Sequence, residues 1–331
     1  MSETQPSLVP KYLQVDLTQE CKELIHTLPK VKGWIGNHLH QYEGFWYPTR
    51  SLQGLLTCQK HFQALDADIL LVTIPKSGTT WLKALAFALL NRKRYEDMHI
   101  HDHPLLTTNP HDLVPFLELN IYVEKDRIPD LNLLSSPRLF ATHLPYVSLP
   151  KSVKESNCKI VYLCRDPKDT FVSMWHFANK LRPESIGANS LEECFDTFCR
   201  GMNPYGPYWD HILGYWKESL ERPEKIMFLK FEDMKIEPTI VLKKLAEFVG
   251  CSFSKEEEYK GIVDGILNLC SFDNLSNLQV NKTGKLRFGV ENKVYFRRGE
   301  VGDSKNLLTV EMNEMINTIV EKKLGEHGLR F

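Results

Sequence analysis

The stretch DILLVTIPKSGTTWLKALAFALL, residues 68–90, decides how this chain is read. Its first part, DILLVTI (68–74), is short and apolar with no polar alternation. That is the pattern of a strand buried on both faces. The run stops at Pro75. Its last part, TTWLKALAFALL (79–90), is apolar almost all round and reads as a buried helix. Strand, tight polar loop and helix therefore follow one another.

The loop, within IPKSGTTW (74–81), has the composition of an anion cradle. Backbone N–H groups at a helix N-terminus lack intrahelical partners and carry partial positive charge. Gly78 permits close approach, Ser77, Thr79 and Thr80 offer hydroxyls, and Lys76 adds a full charge. A plain capped turn is the alternative, but so dense a set of donors disfavours it. The loop is P-loop-like without being a Walker motif, because Lys76 precedes the glycine instead of following it. Trp81 is either a core anchor or a flat face for a base.

Working outward, RLFATHL (138–144), KIVYLC (159–164) and KIMFLKFED (225–233) read as three more strands. Helices are expected at 17–28, 51–64, 79–90, from Pro167 with Asp166 as N-cap, at 207–220, 238–249, in segments over 255–279, and at 309–324. Ser254 reads as the N-cap of the helix that opens with Lys255. Strands alternating with helices predict an α/β fold with a mainly parallel central sheet flanked by helices on both faces. No repeat, low-complexity tract or linker interrupts it, so residues 1–331 read as one domain with 1–33 peripheral. The aromatic stretch 33–49 is expected to lie over the surface.

Arg165 follows KIVYLC directly, at the strand edge where open α/β sheets bind ligands. It reads either as a phosphate contact or as a partner for Asp166 or Asp169. YFRRGEVGD (295–303) reads as an exposed basic loop or as a flap over phosphate.

Composition narrows the classes. Lys plus Arg number 41 against 42 Asp plus Glu, which argues against a dedicated nucleic-acid binder but leaves room for a local cationic pocket. With 42% hydrophobic residues a core is available, so disorder is excluded as the main state. The opening residues lack a secretory pattern and no run is long enough for a membrane span, so a cytoplasmic protein with no membrane partner is expected. The eight cysteines form no CxxC pair and read as reduced, mostly buried thiols. The sequons at Asn274 and Asn281 read as chance matches. His99, His101 and His103 alternate in HIHDH and read as a solvated loop, not a metal site; His176 and His211 read as core or pocket-wall residues.

Taken in order, PKSGTTWLKAL (75–85), THLP (142–145), CRDPKDTFVSMWHF (164–177), YGPYWDHILGYW (205–216), LCSF (269–272) and FRRGEVGD (296–303) are specific in combination. Together they resemble the cytosolic sulfotransferases that use 3′-phosphoadenosine 5′-phosphosulfate (PAPS), most closely the plant branch acting on flavonols, brassinosteroids or hydroxyjasmonates. The resemblance implies that Lys76, Ser77, Gly78, Thr79 and Thr80 hold the 5′-phosphosulfate. It implies that Trp81 and Phe272 sandwich the adenine, with Tyr205 and Cys270 at its edge. Arg165, Ser173, Arg297, Arg298 and Gly299 would hold the 3′-phosphate. His143 would be the catalytic base, with Lys76 stabilising the leaving oxygen and no metal required. Phe45, Trp46 and the 111–122 and 146–149 regions would line an apolar acceptor pocket.

Three positions depart from the family pattern: Ala141 where a Lys is common, Arg298 where Lys is usual, and Ser304 where Trp is usual. KNLLTVEMNE (305–314) resembles the family's dimer contact through Lys305, Thr309, Val310 and Glu314, which implies a homodimer. Two other readings stand beside this one. A P-loop kinase would need GK[ST] and Mg²⁺ partners. A non-catalytic PAP-binding relative (PAP being the nucleotide product) would fit the departures but not the retention of His143 and Lys76.

Overall fold

The computed structural model describes residues 13–14, 16–95, 103–125 and 127–331. His99 and His101 lie outside the described residues; His103 caps a short helical turn by accepting from Leu105 N–H. An antiparallel sheet holds β1 (Lys30–Lys32), β2 (His38–Tyr42) and β3 (Phe45–Pro48). A second sheet holds β4 (Ile69–Thr73), β5 (Leu139–Thr142), β6 (Lys159–Cys164) and β7 (Ile226–Lys230). Its order is β5-β4-β6-β7 and every pairing is parallel.

Period-two alternation explains how the sheet is covered. Leu70, Val72, Phe140, Ile160 and Tyr162 face one core cluster. Ile69, Leu71, Ala141, Val161, Leu163 and Leu229 face the other. The helix Thr79–Asn91 packs on the second face through Leu82, Leu85 and Leu89. The helices Pro167–Leu181 and Tyr208–Glu221 pack on the first through Phe171, Met174, Ile212 and Tyr215. Helices thus cover both faces, as the uniformly apolar strands require.

The strands end in register. Val72 pairs with Thr142 and Tyr162, and Cys164 pairs with Lys230. The four loops leaving this edge begin near Lys76, His143, Arg165 and Phe231, so the topology gathers those residues.

Several expectations need correction. The fourth strand ends at Lys230, and Phe231–Ile236 is a helix, because FEDMKI carries acidic residues in a first turn where the helix dipole favours them. The aromatic stretch 33–49 is not a surface cover. It supplies β2 and β3, and Trp34, Phe45, Trp46 and Tyr47 are buried. Residues 16–33 are also tied in: Cys21 is buried, and Thr18 N–H donates to Gln53 Oε1 at 2.9 Å. The capping expectations hold. Asp166 accepts from the N–H groups of Lys168 and Asp169, and Ser254 forms a capping box with Glu257. Asn281 is buried and bonded to Asn109 and Leu275, which no glycosylated asparagine could be. All eight cysteines are free thiols, six of them buried.

Candidate active site

Lys76 adopts φ 72°, a left-handed conformation unusual for a residue with a side chain. Gly78 follows at φ 108°, and a Cβ there would lie 2.7 Å from Phe231 Cδ2. The two left-handed residues turn the chain sharply from β4 into the helix Thr79–Asn91. Ser77 is fully buried and its Oγ has no partner among the described residues. The N–H groups of the helix start, which lack intrahelical partners, are what an oxyanion in front of this turn would satisfy.

A cavity of about 320 Å³ opens over this loop. Lys76, Gly78, Thr79, Thr80 and Trp81 line it from one side, and Cys270, Phe272 and Phe296 from another. Arg165, Ser173, Arg297, Arg298 and Gly299 complete it. All the expected nucleotide residues except Ser77, which sits behind the wall, and Tyr205 therefore meet at one cavity. Burial pushes the Cys270 thiol up, so it is a neutral wall group. Trp81 meets Phe231 edge-to-face with centroids 5.6 Å apart. Phe231 was not anticipated, since KIMFLKFED read as one strand.

The acid-partner reading of Arg165 is realised, and one guanidinium nitrogen is left over. Its Nη2 pairs with Asp169 at 3.1 Å and donates to the Glu300 carbonyl, while its buried Nε has no partner. Asp169 also accepts from Gly302 N–H at 2.7 Å and Ser304 N–H at 2.9 Å. It thereby ties the basic flap to the helix below. Ser304 is buried at this anchor, so the missing Trp is not replaced by an open gap. Arg297 and Arg298 share Asp303, at 2.5 Å and 2.6 Å, and Arg297 Nε is unpartnered. Gly299, at φ 66°, lies against the Phe272 ring.

A second cavity, about 440 Å³, adjoins the first. Trp34, Ile35, Met174, Ala178, Leu181 and Phe288 give it an apolar wall, with Arg50 the guanidinium on its rim. The expected pocket lining is partly corrected. His111, Phe116, Leu119 and Asn120 do line it. Phe45, Trp46 and residues 146–149 do not: Tyr146 packs on Tyr215, and Ser148 bonds Tyr47. Tyr205 is corrected too. It lines this second cavity and not the first, because its backbone is bonded beside β3, where it donates to the Trp46 carbonyl.

His143 faces both cavities. Its Nδ1 lies 2.6 Å from the Thr73 carbonyl, which can only accept. Nδ1 therefore carries the ring proton and Nε2 keeps its lone pair. The backbone is held as firmly: His143 N–H donates to Glu118 Oε1, and His211 Nε2 donates to the His143 carbonyl. Glu118 is fully buried, and burial raises its pKa. No pattern in FLEL marks it beforehand. Burial lowers the His143 pKa to about 3, with Lys83, His211 and Lys76 lowering it and the Thr73 bond opposing. Lys76 lies 4.3 Å from the Phe177 ring centroid. Burial, then Arg297, Lys180 and Arg165, lower its pKa to about 7.

Among the described residues no cluster of three or more His, Cys, Asp or Glu could hold a metal, and no helix is long and apolar enough to cross a membrane.

A cationic cradle at the strand edge thus lies beside a largely apolar cavity, with the His143 imidazole between them. The sulfotransferase domain family matches residues 66–328. Cytosolic sulfotransferase 5 of Arabidopsis thaliana is 51% identical, over 96% of this chain and 98% of that protein. A solved Arabidopsis thaliana sulphotransferase superimposes with a TM-score of 0.75 at 43% identity, over 96% of this chain and 99% of the other. Mouse sulfotransferase SULT7A1, solved with PAP, gives 0.66 at 27% identity, over 86% and 94%. The chain belongs to the sulfotransferase family, in its plant cytosolic branch, and is an enzyme of that class.

Proposed function

We propose that this enzyme moves the sulfuryl group from PAPS to a hydroxyl of a small apolar acceptor, with His143 as the base. One observation carries the reading: Pro75, Lys76, His111, His143, Phe177 and Tyr295 wall both cavities. A donor in one and an acceptor in the other would meet there.

The first cavity takes the nucleotide. Lys76, Ser77, Gly78, Thr79 and Thr80 hold the 5′-phosphosulfate, and Trp81 and Phe272 flank the adenine with Phe231 at its edge. Arg165, Ser173, Arg297, Arg298 and Gly299 hold the 3′-phosphate. The acceptor hydroxyl attacks sulfur as His143 Nε2 takes its proton. The bond from sulfur to the 5′-phosphate oxygen breaks, and PAP leaves with that electron pair. Lys76 and the helix N–H groups stabilise the charge gained there. The low pKa keeps the imidazole neutral at working pH, and the bound polyanion raises its proton affinity as transfer begins.

Flavonoids and other phenols, steroids and hydroxyjasmonates are the acceptor classes put forward. The family match from 66 to 328 and a site drawn from Lys76 to Gly299 support one domain. Homodimerisation is supported by the exposure of Lys305, Thr309, Val310 and Glu314 around one helix start.

The test is transfer of radiolabelled sulfate from PAPS to a panel of phenols, steroids and hydroxy acids, with EDTA present. Labelled product is expected from one class. PAP binding with no transfer to any acceptor would favour a ligand-binding role, and ATP turnover would favour a kinase.

A further inference from the structure

Lys83 is completely buried on the helix Thr79–Asn91, one turn beyond the anion loop. A buried lysine is costly unless its N–H bonds find acceptors. Its Nζ lies 3.2 Å from His111 Nδ1 and 3.2 Å from the centroid of the Phe116 ring. His111 Nε2 in turn lies 3.0 Å from Thr80 Oγ1. Thr80 lines the nucleotide cavity, whereas Lys83 lines neither cavity. A chain of three polar groups therefore runs from a sealed amine to the wall facing the nucleotide.

Its hydrogen bonds have a direction. Nζ carries N–H bonds to donate in either protonation state. When it donates, His111 Nδ1 accepts and the ring proton sits on Nε2. Nε2–H then donates to Thr80 Oγ1, and the Thr80 proton is left to point into the cavity. The reverse polarity would turn hydroxyl lone pairs toward an anion, so a bound anion selects the first arrangement.

We propose that Lys83 and His111 are positioning residues that lock the Thr80 hydroxyl as a donor to the phosphosulfate end of PAPS. This rests on the PAPS reading above. Neither residue need touch the nucleotide; both act through Thr80. Phe116, stacked on His111 and beneath the lysine, packs against the inner end of the relay.

The test is PAP binding by calorimetry on the full chain. The variants are Lys83→Met, Thr80→Val, the double variant and Thr80→Ser. Lys83→Met and Thr80→Val should each weaken PAP by about tenfold, as lost donors to a charged group do. Thr80→Ser should stay close to wild type. The double variant should bind no worse than Thr80→Val alone, since the lysine acts only through that hydroxyl. Multiplicative losses, or full affinity in Lys83→Met, would overturn the relay. If Lys83→Met does not fold, His111→Phe replaces it in the same cycle, with the same expected and contrary results. Wild-type protein that fails to bind PAP would remove the PAPS reading and the relay together. Wild-type binding with an additive cycle would remove the relay alone.

Discussion

A side-chain carbon on Gly299 would lie 2.5 Å from Phe272 Cδ2, inside any real contact distance. The glycine is also left-handed, at φ 66°. Gly299→Ala should therefore displace the Phe272 ring and strain the flap. PAP affinity should fall by about tenfold or more, since a strain of about 1–3 kcal/mol is added to a lost stacking face. Titration calorimetry reads this directly. Unchanged affinity would show that the Phe272 ring does not meet the nucleotide.

Replacing His143 separates chemistry from binding. His143→Ala should lower turnover by at least about 100-fold, the range of a lost general base. PAP affinity should change little, because the cationic groups are elsewhere. Sustained turnover would sink the base assignment.

Lys76 makes a pH prediction. Its pKa in the empty protein is about 7, so much of it is neutral at pH 8. A bound polyanion favours the ammonium, so PAP binding above pH 7 should take up a proton. PAP affinity should decline from pH 7 to 9, and the binding enthalpy should vary with buffer ionisation. Lys76→Met should abolish that buffer dependence. His143, at about 3, titrates outside this window.

The dimer proposal rests on an exposed patch. Val310 is 68% exposed at the start of the helix that Thr309 caps. Val310→Glu combined with Glu314→Ala should halve the mass seen by light scattering. If the native protein already runs as a monomer, the proposal fails without any mutation.

Much of the fold could be read beforehand because its evidence is local. ILLVT and KIVYLC are apolar at every position, and only a strand covered on both faces tolerates that. Asp166-Pro167 marks a helix start by capping chemistry that acts within three residues. The hairpin of β2 and β3 was missed because aromatic runs such as GFWYP carry no clear period. Phe231 was missed because FLKF continues a strand pattern that ends at Lys230.

Residue types and motif order were enough to read the α/β class, the sharp turn after the first parallel strand, and most of the residues that gather at the first cavity. These are properties of short segments, set by covalent spacing and local backbone preference. Tertiary structure decided the rest. It put Tyr205 at the second cavity and left Phe45 and Trp46 out of it. It gave Arg165 both an acid partner and a free Nε, and joined Lys83 to Thr80 through His111. Each outcome depends on packing between residues far apart in the chain, where burial and hydrogen-bond direction choose among partners that local sequence leaves equivalent.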